Sequence, residues 1–226
     1  MGTSKGYQAP TEPNWRKAKG ALKRYLNSNH DSNERNKAVR DYATAHLQAS
    51  SLLGMASTGV KIVNLFNLIS ENGIDVALQK VGLDNLIGKS GDIVYNGIIY
   101  YFSNGTGDLE DGIIKNTISQ LLIDYQVCDI TDFVNFDFAQ FFMSFIVTYI
   151  QVDFKTMFYE KILSDKTPEE SKNIIEDINR YIAFTINQNY DAEELSKIDW
   201  KDVEGQAFVD KICKECYELL QVYEGV

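Results

Sequence analysis

The sequence predicts an all-α fold: a multi-helix bundle behind a flexible, extended N-terminal tail. Three observations lead there. The prolines are Pro10, Pro13 and Pro168, so no proline ring interrupts a helix between Asn14 and Thr167. Glycines cluster in residues 54–112 and are absent from Ile113 to Glu204, which predicts short punctuated helices first and long unbroken ones later. Apolar residues recur at three- and four-residue steps along much of the chain, which is the helical period.

Each element follows in order. Met1–Pro13 is small, polar and proline-marked, and its composition predicts a mobile tail. Asn14 opens a helix to about Ser28, with Trp15, Ala18, Leu22, Tyr25 and Leu26 as its apolar stripe. Asp31 followed by Glu34 reads as a capping box for a helix running to about Leu53. Val60–Ile69 is rich in β-branched residues and permits a strand, but the run ends Glu71-Asn72-Gly73, which suits a helix stopped by a left-handed glycine. Short helices follow at about Asp75–Val81 and Gly91–Phe102, and 104–107 reads as a loop.

From Leu109, the residues Ile113, Ile114, Thr117, Ile118, Leu121, Leu122 and Tyr125 keep a helical period. The next helix, about Asp132–Leu163, carries phenylalanine on several faces, as a central buried helix does. Thr167-Pro168-Glu169-Glu170 offers an N-cap, a proline at the first helical position and a glutamate at the third. Helical segments at about Ala192–Lys197 and Asp199–Tyr223 complete the chain. The resulting organisation is a tail (1–13), a basic helical segment (14–53) and an acidic helical body (54–226).

Charge divides the same way. Of the 226 residues, 1–50 hold 9 Lys/Arg and 4 Asp/Glu, whereas 51–226 hold 13 and 28. The body would repel phosphate, so nucleic acid is left only the head. There Arg16, Lys17, Lys19, Lys23 and Arg24 form a basic contact face, with Trp15 and Tyr25 as stacking platforms. A solvated face over a packed stripe explains the same pattern, and so does docking onto an acidic surface. The longest apolar run, Phe141–Val152, is too short and too polar to span a bilayer, and Met1–Pro13 has no apolar signal core. With three cysteines and no disulfide framework, the chain reads as cytoplasmic.

Chemical motifs are sparse. Gly54 to Gly59 followed by Val60-Lys61 misplaces the lysine of a phosphate loop and lacks the Ser/Thr after it, so it reads as a helix-joining turn. Asp108-x-Glu110-Asp111-Gly112 lacks calcium-loop spacing and reads as an acidic helix start. Cys213 and Cys216 read as two half-buried helix cysteines, because a metal site would need two more ligands at paired spacing. His30 reads as solvated and His46 lies on a helix, with no nucleophile in motif spacing to either. No cofactor is implied, and nothing makes a positive case for an enzyme.

The N-terminus is more informative. A small second residue lets the initiator methionine be removed, leaving an α-amine on Gly2 whose pKa near 8 makes it a usable nucleophile. The sixth residue is Gly6, so the myristoylation pattern fails. Met1-Gly2-Thr3-Ser4-Lys5, then Gly6, a proline-containing linker and a helical body, resembles QatB of the bacterial Qat anti-phage defence system. The resemblance implies a non-enzymatic defence protein that works with a QueC-like (QatC-like) enzyme. Such enzymes use ATP to activate the carboxylate of 7-carboxy-7-deazaguanine. Gly2 would be the acceptor of that 7-deazaguanine, with Thr3, Ser4 and Lys5 as the recognition tail. The system also implies a defence ATPase and a TatD-like nuclease as further partners. The alternative is a nucleic-acid-binding accessory protein that uses the basic N-terminal helices.

Overall fold

A computed structural model describes residues 10–49, 52–103, 105–190 and 205–222. Among these, the secondary structure is helical throughout, with one isolated bridge between Ser90 and Asp129. The helices are α1 (Pro13–Asn27), α2 (Ser32–Ala49), α3 (Leu53–Asn72), α4 (Ile74–Lys80), α5 (Asp92–Phe102), α6 (Leu109–Asp124), α7 (Phe138–Asp165), α8 (Pro168–Asn189) and α9 (Gly205–Gln221). Two 3-10 turns, Asp84–Leu86 and Ile130–Asn135, lie between them. The all-α reading therefore holds. The segment expected at 192–197 and the tail at 1–9 lie outside the described residues.

Local chemistry explains most of the boundaries. The α1 helix starts one residue before the expected Asn14 because Pro13 takes the first helical position, where its missing N–H costs nothing. Asn14 lies inside the helix, and its amide donates to Gln48. The Asp31 carboxylate accepts from the backbone N–H of Asn33 and Glu34, which opens α2. That helix ends at Ala49 rather than Leu53. The Thr167 hydroxyl and backbone N–H both donate to Glu170, whose own N–H donates back to Thr167. This is the capping box read from the sequence.

Two expectations are corrected. The Gly54–Gly59 stretch is not a helix-joining turn, because it lies within α3. The long phenylalanine helix does not begin at Asp132. The Asp132 carboxylate accepts from the N–H groups of Cys128 and Asp129 and holds a 3-10 turn instead. The Asp137 carboxylate then accepts from Gln140 N–H and starts α7 anew.

The chain forms two compact units. One draws on the described parts of Met1–Ser51, Ile150–Asn189 and Lys214–Val226. Its core contains Trp15, Leu22, Tyr42, Phe158, Ile178, Ile182 and Tyr217, all buried. The other draws on Leu52–Tyr149 and the described part of Tyr190–Cys213. There Phe66, Phe133, Phe136 and Phe141 meet ring against ring, with centroids 5.2–6.1 Å apart. Burying Phe66, Phe133 and Phe141 stabilises by about 1.5–3 kcal/mol each, and the ring contacts add to this.

Close packing in the second unit explains why Gly59 must be glycine. A Cβ there would lie 2.7 Å from Val209 Cγ1 and 3.3 Å from Phe142. We expect Gly59→Ala to lower unfolding free energy by about 1–2 kcal/mol, overpacking outweighing the better helix propensity. Adding Val209→Ala should remove the clash, so urea unfolding should show the pair to be non-additive.

Candidate functional site

The basic face of α1 is partly turned back on the protein. Lys17 Nζ lies 3.3 Å from Asp41, a carboxylate that is itself buried and also held by Arg40 at 2.8 Å. Arg24 Nε reaches Glu34 at 3.1 Å. Lys37, with help from Arg24, holds the Glu34 carboxyl below the usual range. Lys19 Nζ donates to the Pro10 carbonyl at 3.1 Å, which ties the base of the tail to α1. Arg16 and Lys23 are exposed. Trp15 and Tyr25, by contrast, are 3% and 1% exposed, so neither is a platform on which a base could stack. The recognition residues Gly2, Thr3, Ser4 and Lys5 lie outside the described residues.

Tyr25 has a different task. Its hydroxyl donates to Asp177 Oδ2 at 2.7 Å, while Arg35 reaches Asp177 Oδ1 at 3.0 Å and stacks over Tyr181. Burial, reinforced by Asp177, pushes the Tyr25 hydroxyl pKa up. The pair of contacts fastens α1 and α2 to α8.

The most polar part of the first unit's core was not visible in the sequence. His46 Nε2 lies 2.7 Å from Asp153 Oδ2, and both residues are buried. The Tyr42 hydroxyl donates to the same oxygen, and Tyr217 approaches Tyr42 at 3.4 Å. Trp15 sets its ring edge-on to His46 with centroids 4.9 Å apart, and Tyr217 stacks on His46 at 5.1 Å. Burial, with the neighbouring Asp153 carboxylate, raises the Tyr42 hydroxyl well above its ordinary value. A histidine–aspartate pair with two tyrosines has the composition of a proton-handling site. Here it is sealed, with His46 3% and Asp153 1% exposed, so the geometry is that of a joint between α1, α2, α7 and α9.

Other sequence candidates also resolve into architecture. Lys61, which a phosphate loop would have claimed, donates to the carbonyls of Tyr101 and Ser103 at 3.1 and 3.0 Å and lies 3.4 Å from that of Phe102. It thereby caps the C-terminus of α5, where a cation is favoured by the helix dipole. Its partial burial lowers the ammonium pKa. Asp108 caps α6, as expected for an acidic helix start. Asp111 is buried, accepts from Gly105 and Gly107 N–H, and pairs with Lys115 at 2.7 Å. Cys213 and Cys216 are fully buried rather than half-buried, and burial pushes the Cys216 thiol far up. Cys128 is exposed. Among the described residues no group of three His, Cys, Asp or Glu side chains is placed to hold a metal. No single helix among them is long and apolar enough to cross a membrane.

The family model described as "Qat anti-phage system associated protein QatB" matches residues 44–220. The match runs from the second half of α2 through most of the helical body and includes both partners of the His46–Asp153 pair, whereas the resemblance noted from sequence lies mainly in the first thirteen residues. No curated protein and no solved structure matches the chain.

Asp153→Ala leaves His46 and Tyr42 facing each other without their shared carboxylate. It should lower stability by about 3–5 kcal/mol in chemical denaturation. His46→Leu with Asp153→Leu removes both partners of the pair together and should cost clearly less. Arg16→Gln with Lys23→Gln should stay within about 0.5 kcal/mol of the parent.

Proposed function

The chain belongs to the QatB family of Qat anti-phage systems, and from that premise we propose that it presents its N-terminal glycine to a QueC-like partner enzyme. The protein is an anti-phage defence component. In our reading it is not itself the enzyme and operates in the cytoplasm. It serves as the acceptor on which the partner installs a 7-deazaguanine. The family match supports the defence role, and the Met1-Gly2-Thr3-Ser4-Lys5 start supports the acceptor role.

The chemistry suits the residues. Once Met1 is removed, the Gly2 amine in its neutral form attacks a carboxyl carbon that the partner has activated with ATP. An amide forms, the activating group leaves, and the amine proton passes to solvent or to a base of the partner. Glycine has no side chain to obstruct the approach. Thr3, Ser4 and Lys5 offer backbone and side-chain groups that an extended-strand channel can recognise. The Lys19–Pro10 contact supports the reading by giving the segment ahead of Pro10 a defined base on α1. Arg16 and Lys23, exposed on the same helix, provide positive charge for steering toward an acidic partner surface. In this scheme the system's ATPase and TatD-like nuclease act on, or together with, the conjugated protein.

Intact-mass and N-terminal peptide analysis after co-expression with the QueC-like enzyme tests the proposal. The Gly2 peptide should gain the mass of the deazaguanine acyl group, and Gly2→Pro should abolish the gain because the amine becomes secondary and hindered. Protection against phage should fall with it. An unmodified Gly2 in the presence of a bound, active partner would overturn the reading.

A further inference from the structure

An open cleft of about 440 Å³ lies between the turn after α4 and the C-terminal half of α5. Val81, Leu83, Tyr100 and Tyr101 give it apolar and aromatic walls, and Asn85 and Ser103 give it polar points. Gly97 makes this geometry attainable. A Cβ there would sit 2.7 Å from Leu86 Cδ2, so only glycine lets the 3-10 turn press this close to α5. Tyr100 is 75% exposed. Ile93, two turns earlier on the same helix face, is 56% exposed. Single exposed apolar residues are ordinary on any surface. Here the two share one face of α5, and Tyr100 also lines the cleft, so the exposed apolar surface runs on from the cleft wall.

Charge narrows the class of partner. Residues 52–149 hold 4 Lys, no Arg and 11 Asp/Glu. Two of the lysines are spent internally, since Lys61 caps α5 and Lys115 pairs with Asp111. Lys80 and Lys89 are exposed, and the Lys80 ammonium is bound to Asn72. Asp84 stands between the lining residues Leu83 and Asn85, Asp92 precedes Ile93, and Asp108 follows the Gly105–Gly107 loop. All three are exposed. An approaching segment therefore meets apolar and aromatic walls in a stretch where acid outnumbers base.

We propose that this cleft and the adjoining face of α5 are a docking surface for a partner-protein segment bearing an aromatic or leucine anchor flanked by Lys or Arg. The anchor fills the cleft and stacks on Tyr100, while the flanking cations face Asp84 and Asp92. Apolar burial in the cleft supplies most of the affinity, and the charges supply selection and rate.

A random dodecapeptide display library panned against the full chain tests this, with binding of enriched peptides then measured by fluorescence anisotropy. Enriched sequences should combine Trp, Phe, Tyr or Leu with Lys or Arg. Ile93→Ser with Tyr100→Ser changes only exposed side chains, so circular dichroism should show the helices intact. That variant should bind such peptides at least about tenfold more weakly. Asp84→Asn with Asp92→Asn should flatten the salt dependence. Enriched peptides without basic residues, equal binding to the serine variant, or no enrichment would overturn the proposal. So would a parent dimer in sedimentation that the serine variant abolishes, since the face would then belong to a second copy. The experiment does not involve the tail, so its failure leaves the Gly2 reading standing.

Discussion

One buried carboxylate sets the register of the first unit. Asp153 is almost fully removed from water on α7, and an unpaired carboxylate in that position would cost several kcal/mol. Its compensation comes from α2, through His46 and Tyr42 one helical turn apart, with Tyr217 of α9 and Trp15 of α1 closing the surroundings. Apolar contacts such as those of Leu22, Ile178 and Ile182 would tolerate sliding, because one hydrophobe replaces another with modest loss. The carboxylate does not tolerate it. The helices that meet at Asp153 are held in the one arrangement that brings polar partners to it, and α1 places Trp15 in that arrangement.

The second unit uses charge differently, to hold backbone rather than other side chains. Lys61 gathers the terminal carbonyls of α5, Asp111 takes two N–H groups of the following loop, and Glu110 takes the N–H of Gly54. Each satisfies backbone groups that helix ends and glycine loops leave open. The aromatic cluster around Phe66, Phe133 and Phe141 then fills the interior. Asp111 acts on backbone within six positions of itself, whereas Lys61 and Glu110 reach 40 and 56 positions along the chain and the His46–Asp153 contact spans 107.

That difference explains what sequence reasoning recovered. The all-α class, the α8 capping box, the stop of α3 at Gly73 and the acidic start of α6 all follow from residues within a few positions of one another. The start of α7 was displaced because Asp129, Asp132 and Asp137 are three capping residues in nine positions, and phenylalanine periodicity runs across all of them. The Asp137-x-x-Gln140 spacing was the signal that could have found it. Nothing local distinguishes His46 from any other helix histidine, and Asp153 lies inside the helix read to about Leu163, with nothing nearby to mark a partner on α2. The apolar stripe read for α1 is the packed one, and the stacking alternative for Trp15 and Tyr25 falls with it, because an amphipathic helix turns that face inward.

The contact between Lys19 and Pro10 also acts as a ruler. A fully extended chain advances at most about 3.6 Å per residue, so Gly2 can stand no farther than roughly 30 Å from the point where Lys19 holds the backbone. An enzyme that used this terminus while docked on α1 would need its reacting carbon within that distance of the docking face. Depth of the active site and position of the docking face are then no longer independent. A partner with a deeper channel would have to peel Pro10 from Lys19 before the amine could arrive.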